Sequence, residues 1–237
     1  MCMTDIIKEI SLITGNKNDM IEELISEGKE GVLAQSHITV CEIGERFVMV
    51  DENIENVWIL LSGKVKALEE FYTGDIFTFN KFTAPEIFGE MEILADINKY
   101  RATLITEKKS FFLNIPAEVY LGFLKRNPDF LFKRTELIMK RYFEDQKRMR
   151  IFLMIKSKDR IKIYLTQHYE LYAHQGVCNL RIPRQQIAEE TGYSVKTVNR
   201  IIRELQTQNL ITVAGQKLII NESQYKKMLN NVENFIN

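Results

Sequence analysis

The residues with the clearest chemical potential lie between positions 194 and 205. Four polar side chains there recur three or four positions apart and would share one face of a helix, namely Lys196, Asn199, Arg200 and Arg203. The other face of that helix would be apolar and consists of Val198, Ile201, Ile202 and Leu205. In the major groove of a DNA duplex, arginine binds guanine and asparagine binds adenine, each through two hydrogen bonds. The pattern therefore indicates a helix that packs by one face and reads bases by the other.

A shorter helix precedes this one across a tight turn. The sequence predicts a helix over Arg184–Thr191, with Ile187 and Ala188 facing inward. Gly192 would end it in the left-handed conformation, and Ser194 would cap the next helix. The pair is a helix-turn-helix motif; the alternative is a helical pair in an ordinary all-α domain whose charges are solvated.

The residues that follow favour DNA binding. Two β-rich runs, residues 209–213 and 217–220, flank Ala214 and Gly215 and predict a β-hairpin wing. From Arg181 to Lys217 there are six Arg or Lys against three Glu, whereas the whole chain has a formal net charge of +0. Positive charge is thus concentrated in one module, as expected for contact with phosphates.

The composition is that of a globular protein, with 45% hydrophobic and 27% charged residues among 237. No apolar run approaches the roughly 20 residues needed to cross a bilayer, and the first ten residues carry charges where a signal peptide would be apolar. We therefore expect a cytoplasmic protein without a membrane segment. The cysteines at positions 2, 41 and 178 are far apart, which predicts neither a structural disulfide nor a zinc site.

Ahead of the motif, residues 4–30 show helical patterns that are interrupted at Gly15. After them the residue pattern becomes typical of β-strands. Short β-rich runs follow at residues 38–40, 46–50, 57–61, 64–68, 76–79, 103–105 and 111–115. Many short strands at this spacing, with Gly63 at a positive φ between two of them, predict a jelly-roll sandwich or barrel.

Residues 87–94 interrupt the β pattern. Gly89, Glu90 and Met91 would open a short helix whose free N–H groups form an anion cradle. Arg101 follows shortly after and would complete a phosphate site, with a glutamate for a sugar hydroxyl. The alternative is that Arg101 forms a surface ion pair.

Asn127 and Pro128 predict the start of a helix reaching about residue 155, with Asn127 as its cap. Side chains at alternating spacings of four and three form a heptad seam suited to a second copy of the chain: Leu131, Thr135, Ile138, Tyr142, Asp145, Met149 and Phe152. The alternative, packing against the chain's own β-domain, can hold as well, because a long helix has several faces. Asp145 would meet a ligand, set the register or turn to solvent.

These elements predict an α+β chain in four parts: an N-terminal helical cap (residues 1–32), an effector-sensing β-roll (33–126), a long dimerisation helix (127–156) and a winged helix-turn-helix domain (157–237). Residues 156–160 are polar enough to form a hinge before the last part.

In this order of elements the sequence resembles the CRP/FNR family of bacterial transcription regulators. The resemblance covers about residues 33–222, and its best-matched motifs are residues 62–65 (SGKV), 88–91 (FGEM), 127–129 (NPD), 159–161 (DRI), 184–188 (RQQIA) and 200–201 (RI). It implies a homodimer that binds double-stranded DNA under the control of a small effector in the roll, with RNA polymerase as a further partner.

In family members that bind cyclic AMP, a glutamate holds the ribose, and an arginine followed by Ser or Thr holds the phosphate. Gly89, Glu90 and Arg101 match this pattern, but Ala102 lacks the hydroxyl, which costs about 1–3 kcal/mol. Acidic and amide side chains also stand where the family has Thr and Ser for the adenine. The resemblance therefore argues against cyclic AMP and leaves another small effector. The implied effector-binding residues are Gly89, Glu90, Met91, Arg101, Ala102, Asp145 and Gln146.

The implied contacts to DNA are Arg184, Ser194, Val195, Lys196, Thr197, Asn199, Arg200 and Arg203. Val195 suits a thymine methyl group and Lys196 suits guanine acceptors. Two readers related by dimer symmetry predict a roughly palindromic operator with half-sites about one helical turn apart.

Three functional hypotheses follow. The first is an effector-controlled, homodimeric regulator, and the second is an effector-independent regulator whose roll is a structural and dimerisation module. The third is an enzyme on the roll, which would need a metal cluster, although the roll region contains only His37. We therefore expect no catalytic residues, no metal, no haem and no iron–sulfur cluster.

Overall fold

The computed structural model describes residues 3–15, 19–28, 31–72, 74 and 76–230, without the side chains of residues 3, 4, 19, 27, 28, 148, 149 and 151–154. The chain divides into two compact units, one comprising Met1–Glu69 and Phe79–Tyr142 and the other comprising Glu70–Thr78 and Phe143–Asn237. In the described part of the chain, no helix is both long and apolar enough to cross a membrane.

The first unit contains a β-roll of two four-stranded sheets, with strand orders β1-β8-β3-β6 and β2-β7-β4-β5. The strands are β1 (His37–Cys41), β2 (Arg46–Val48), β3 (Asn56–Ser62), β4 (Lys64–Glu70), β5 (Ile76–Thr83), β6 (Glu86–Phe88), β7 (Thr103–Thr106) and β8 (Ser110–Pro116). All seven predicted runs are strands, and the predicted fold class is confirmed. The strands form because β-branched and aromatic residues line the buried faces of both sheets.

Strand β6 was not predicted, because residues 87 and 88 were interpreted as part of a break in the β pattern. In the structure, Trp58 of β3 pairs with Phe88 and Leu60 pairs with Glu86. All three residues of β6 are buried, so the strand lacks the alternation of exposed and buried positions that marks a half-buried strand.

Helices close the roll on one side. Helix α1 spans Met3–Thr14, α2 spans Asp19–Gly28, a single 3-10 turn spans Leu33–Gln35, α3 spans Glu90–Leu94, α4 spans Ala117–Arg126 and α5 spans Pro128–Met154. Their apolar faces share one core with the outer face of β3 and β8, and its largest fully buried side chains include Ile10, Leu24, Tyr120, Phe123 and Phe130.

The start of α5 differs in part from the prediction. Pro128 is its first residue, as expected, and the Asn127 carbonyl accepts a hydrogen bond from the Leu131 N–H at 3.0 Å. However, the Asn127 side chain donates to the Phe123 carbonyl at 2.8 Å, so it satisfies the end of α4 rather than the start of α5. The predicted polar hinge is also wrong in extent, because residues 157–160 form the first turn of the next helix.

The second unit consists of α6 (Ser157–Tyr172), β9 (Val177–Leu180), α7 (Arg184–Thr191), α8 (Val195–Thr207), β10 (Thr212–Ala214), β11 (Lys217–Asn221) and α9 (Glu222–Asn230). The predicted hairpin is present as β10 and β11. Its sheet has a third strand, in the order β10-β11-β9, which was not predicted, and neither was α9. The helices and the sheet enclose a single apolar core.

Candidate nucleic-acid interface and effector site

The turn between α7 and α8 has the predicted geometry. Gly192 adopts φ 71° and ψ 28°, which is the left-handed conformation. Its N–H donates to the Ala188 carbonyl at 2.9 Å, and the Tyr193 N–H donates to the same carbonyl at 3.1 Å. The end of α7 is therefore satisfied locally, and the chain turns directly into α8.

Helix α8 is capped at its first residue and anchored by its apolar face. The Ser194 Oγ accepts a hydrogen bond from the Thr197 N–H at 3.3 Å, as predicted. The side chains that anchor the helix are all buried: Val198, Ile201, Ile202 and Leu205.

The opposite face of α8 presents the predicted polar residues. Lys196, Arg200 and Arg203 are exposed, and Asn199 is half-buried. Val195, in contrast, is half-buried and packs against the core of this unit, which leaves less of it for a thymine methyl group than the sequence suggested. The polar face of α8 thus combines exposed cationic side chains with the half-buried amide of Asn199.

Glu204 partly offsets the positive charge on the exposed face of α8. Its carboxylate lies 2.7 Å from the Lys158 Nζ and 3.9 Å from the Arg200 Nη1. The hydrogen bond from Lys158 lowers the pKa of Glu204, so the carboxylate stays ionised. Sequence reasoning did not link these residues, because Lys158 comes from α6, 46 positions earlier.

A cationic cleft of about 590 Å³ lies between the start of α7 and the wing turn. Arg181, Arg184 and Lys217 line it, together with Ile182, Pro183, Ala214, Gly215 and Gln216. The Arg184 Nη1 is buried and has no hydrogen-bond partner among the described residues. Burial lowers the pKa of this guanidinium, because a desolvated charge is unfavourable. Three cationic side chains at one cleft form a site suited to an anion.

Glu90, the predicted ribose ligand, already has a full set of partners within the chain. Its side chain is 1% exposed, and the Arg134 guanidinium binds it by Nε at 3.0 Å and by Nη2 at 2.6 Å. The Tyr120 hydroxyl donates to the same carboxylate at 2.6 Å. Burial and the neighbouring carboxylate raise the pKa of Tyr120 well above its ordinary value, so the hydroxyl keeps the proton that it donates.

Four helices meet at this ion pair. Glu90 opens α3, Tyr120 lies on α4 and Arg134 lies on α5. The Arg134 Nη1 lies 3.1 Å from the sulfur of Met20, on α2. The sequence analysis assigned no role to Arg134 or Tyr120, because neither lies near the Gly89 motif in sequence.

The other predicted effector residues differ in their exposure. Gly89 has φ 86° and opens α3 as predicted. Met91 and Arg101 are exposed, and Ala102 is half-buried. The Arg101 N–H donates to the Glu92 Oε1 at 3.4 Å, so a backbone hydrogen bond holds this segment in place. Asp145 and Gln146 belong to the second unit, where Asp145 is half-buried and Gln146 is exposed.

The exposed apolar side chains of α5 coincide with the predicted seam only in part. Leu131 is half-buried and packs against the core of the first unit, and Ile138 is also half-buried. Tyr142 of the predicted seam is exposed, at 47%, and so are Phe132 and Met139, which follow Leu131 and Ile138 and are 72% and 44% exposed. Among the other predicted seam residues, Thr135 is exposed, and the side chains of Met149 and Phe152 lie outside the described part of the structure.

Within the described residues, no group of three or more His, Cys, Asp or Glu side chains could hold a metal ion. Cys41 and Cys178 are both buried and free.

Two family models match the chain: that of the cyclic nucleotide-binding domain over residues 39–127, and that of the Crp-like helix-turn-helix domain over residues 153–224. The cAMP-activated global transcriptional regulator CRP of Haemophilus influenzae is 22% identical over 191 residues, covering 79% of this chain and 85% of the relative. The global nitrogen regulator of Synechocystis sp. is 22% identical over 173 residues, covering 70% of this chain and 76% of the relative.

Solved structures share the fold. The c-di-GMP-responsive global regulator CLP of Xanthomonas campestris superposes with a TM-score of 0.71 at 19% identity, covering 85% of this chain and 98% of that one. A protein assigned to the CRP/FNR family of transcriptional regulators, from Eubacterium rectale, superposes with a TM-score of 0.72 at 18% identity, covering 91% and 99%.

Proposed function

The chain belongs to the CRP/FNR family of transcription regulators, and we propose that it acts as a homodimer that binds a specific, roughly palindromic DNA operator. It is a DNA-binding regulator with a cyclic nucleotide-binding-like domain, and its relatives are regulators rather than enzymes. Binding to operators would place it in the cytoplasm, where RNA polymerase would be its further partner.

One observation carries this proposal: α8 buries its apolar face and presents Lys196, Arg200 and Arg203 outward. A helix held in this way fits the major groove, where these side chains reach base edges. The cleft beside it supports the same proposal, because Arg184 lacks an acceptor that a backbone phosphate would provide.

The dimer seam is proposed on the exposed face of α5. Phe132, Met139 and Tyr142 recur at spacings of seven and three, which is the repeat of a coiled coil. The helix-turn-helix family model and the regulator relatives support DNA binding, and a two-fold symmetric reader requires two copies of the chain. Two copies joined along α5 would present two α8 helices to one face of a duplex.

Two modes of regulation are compatible with this family: control by a small effector that binds in the roll, and DNA binding that needs no effector. The relatives differ in their ligand, since one is cAMP-activated and another is c-di-GMP-responsive, so the fold alone does not name it. The saturation of Glu90 by Arg134 and Tyr120 favours DNA binding without a cyclic nucleotide. A ligand for Glu90 would have to replace three hydrogen bonds made inside the chain.

Selection from a pool of random duplexes tests the function. We expect enrichment of a two-fold symmetric sequence with half-sites about one helical turn apart. Repeating the selection with cyclic AMP or cyclic di-GMP should leave the enriched sequence and its affinity unchanged. The regulator proposal fails if no sequence is enriched under any of these conditions, and effector-independent binding fails if enrichment requires a nucleotide.

Arg200→Ala should weaken binding to the selected operator by about 1–3 kcal/mol and hardly affect random DNA, because this arginine is placed to read a base. Titration of both duplexes by fluorescence anisotropy measures the two losses.

Lys217→Ala is the matched control, because Lys217 lines the cationic cleft, where we expect a backbone phosphate to bind. This substitution should weaken binding to both duplexes alike. Equal losses for Arg200→Ala on both duplexes would mean that Arg200 contacts phosphate, contrary to the role given to it here.

A further inference from the structure

Two arginines of α5 join this helix to the roll. They are seven positions apart, so they lie at nearly the same angle around the helix axis. Arg134 binds Glu90 in α3, and the Arg141 Nη2 lies 2.7 Å from Glu86 Oε2 in β6. Glu86 is itself buried, and the Arg141 guanidinium also lies 5.9 Å from the Phe82 ring centroid. Glu90 lies within the stretch that the family resemblance assigns to effector binding, and Glu86 lies four positions before it.

The exposed seam occupies a different face of the same helix. Each residue advances an α-helix by about 100°, so Phe132 and Met139 lie roughly opposite the two arginines. A rotation of α5 by about 100° about its axis would bring the half-buried Leu131 to the outward position that Phe132 holds, and would carry both arginines away from their glutamates. The rotational setting of α5 therefore decides which apolar residues are available to a second copy.

We propose that Arg134 and Arg141 are positioning residues that take the place of an effector: they fix the rotation of α5 against the roll and keep the Phe132–Met139–Tyr142 seam outward. The inference rests on the proposed function, in that a second copy of this chain occupies the seam. The pair between Arg134 and Glu90 suits this task, because a bidentate guanidinium–carboxylate contact fixes orientation as well as distance. Dimerisation would then require no ligand in the roll.

The test is the dimer dissociation constant of the full chain, measured by sedimentation on dilution, for the wild type and for E90Q/R134M. The double variant removes both charges and keeps similar volumes, which preserves folding better than removal of one charge. We expect its dissociation constant to rise about 3- to 30-fold, the range expected of a coupling through packed contacts. E86Q/R141M should act in the same direction and serves as a second variant should the first fail to fold.

The matched control is E23Q/K133M, which removes an ion pair at the neighbouring position of α5 whose lysine is exposed. It should leave the dissociation constant unchanged. The positioning role is overturned if either E90Q/R134M or E86Q/R141M folds and has the dimer dissociation constant of the wild type. It is also overturned if the wild type binds cyclic AMP saturably, in a manner lost in E90Q, because Glu90 would then be available to a ligand.

Met139→Glu separates this inference from the proposed function. It places a charge in the seam and should give a monomer. If Met139→Glu remains dimeric, the proposed seam itself is wrong, whatever the dissociation constants of E90Q/R134M and E86Q/R141M.

Discussion

Arg134→Met is expected to lower the free energy of unfolding of the first unit by about 3–5 kcal/mol, because it leaves the Glu90 carboxylate buried without its counter-charge. The Tyr120 hydroxyl would remain as a donor, but a neutral hydrogen bond does not replace a guanidinium. The loss can be measured by urea denaturation followed through Trp58, the single tryptophan of the chain, which is half-buried and packs against the core of the roll. Its fluorescence reports the first unit separately from the second.

Adding Glu90→Gln to this variant should recover most of the loss, since no uncompensated charge then stays buried. Lys133→Met is the control on the same helix: its lysine pairs with Glu23 at an exposed position, where an ion pair contributes at most about 1 kcal/mol. An Arg134→Met chain as stable as the Lys133→Met chain would mean that the Glu90 pair contributes no more than a surface contact.

Gly63→Ala should destabilise the same unit by about 2–6 kcal/mol, the sum of backbone strain and overpacking. Gly63 has φ 119°, and an added Cβ would collide with the Ser110 Oγ and lie 2.8 Å from the Ser110 Cα. The backbone of β8 would have to move, because the contact is not limited to the end of a flexible side chain. Urea denaturation followed through Trp58 again measures the loss.

Gly44→Ala provides the comparison for this prediction. Gly44 also has a positive φ, of 82°, but an added Cβ there meets no atom within 4 Å. It should therefore show the strain alone, and the difference between the two variants isolates the collision with Ser110. If Gly63→Ala lowers the free energy of unfolding no more than Gly44→Ala does, the close approach of Ser110 to the turn between β3 and β4 is not rigid.

Local patterns allowed much of the fold to be predicted. The helix-turn-helix was recognisable because Gly192 and Ser194 carry out their roles through hydrogen bonds to residues three or four positions away. The seven predicted strands were recognisable by their β-rich composition and spacing. Strand β6 was missed because a strand buried on both faces shows no alternation, and β9 because it is short and pairs only with a distant strand.

The partners of Glu90, in the predicted effector site, could not be predicted in this way. Glu90 was identified by its place in a short motif, but its partner Arg134 lies 44 positions further along the chain. The sequence contains many arginines, and nothing in their spacing says which of them faces a given carboxylate. The exposed seam on α5 is similar: a heptad pattern admits two neighbouring registers, and only packing against the roll distinguishes them.

The amino-acid sequence by itself determined the order of elements, the helix-turn-helix and its polar face, because these depend on interactions within one or two turns of chain. The tertiary structure alone decided that Glu90 is bound by Arg134 and Tyr120, that the Arg184 Nη1 lacks a hydrogen-bond partner among the described residues, and that Phe132 and Met139 rather than Leu131 face outward. The physical reason is that burial and charge pairing are set by segments distant in sequence, whose approach depends on the packing of the whole unit.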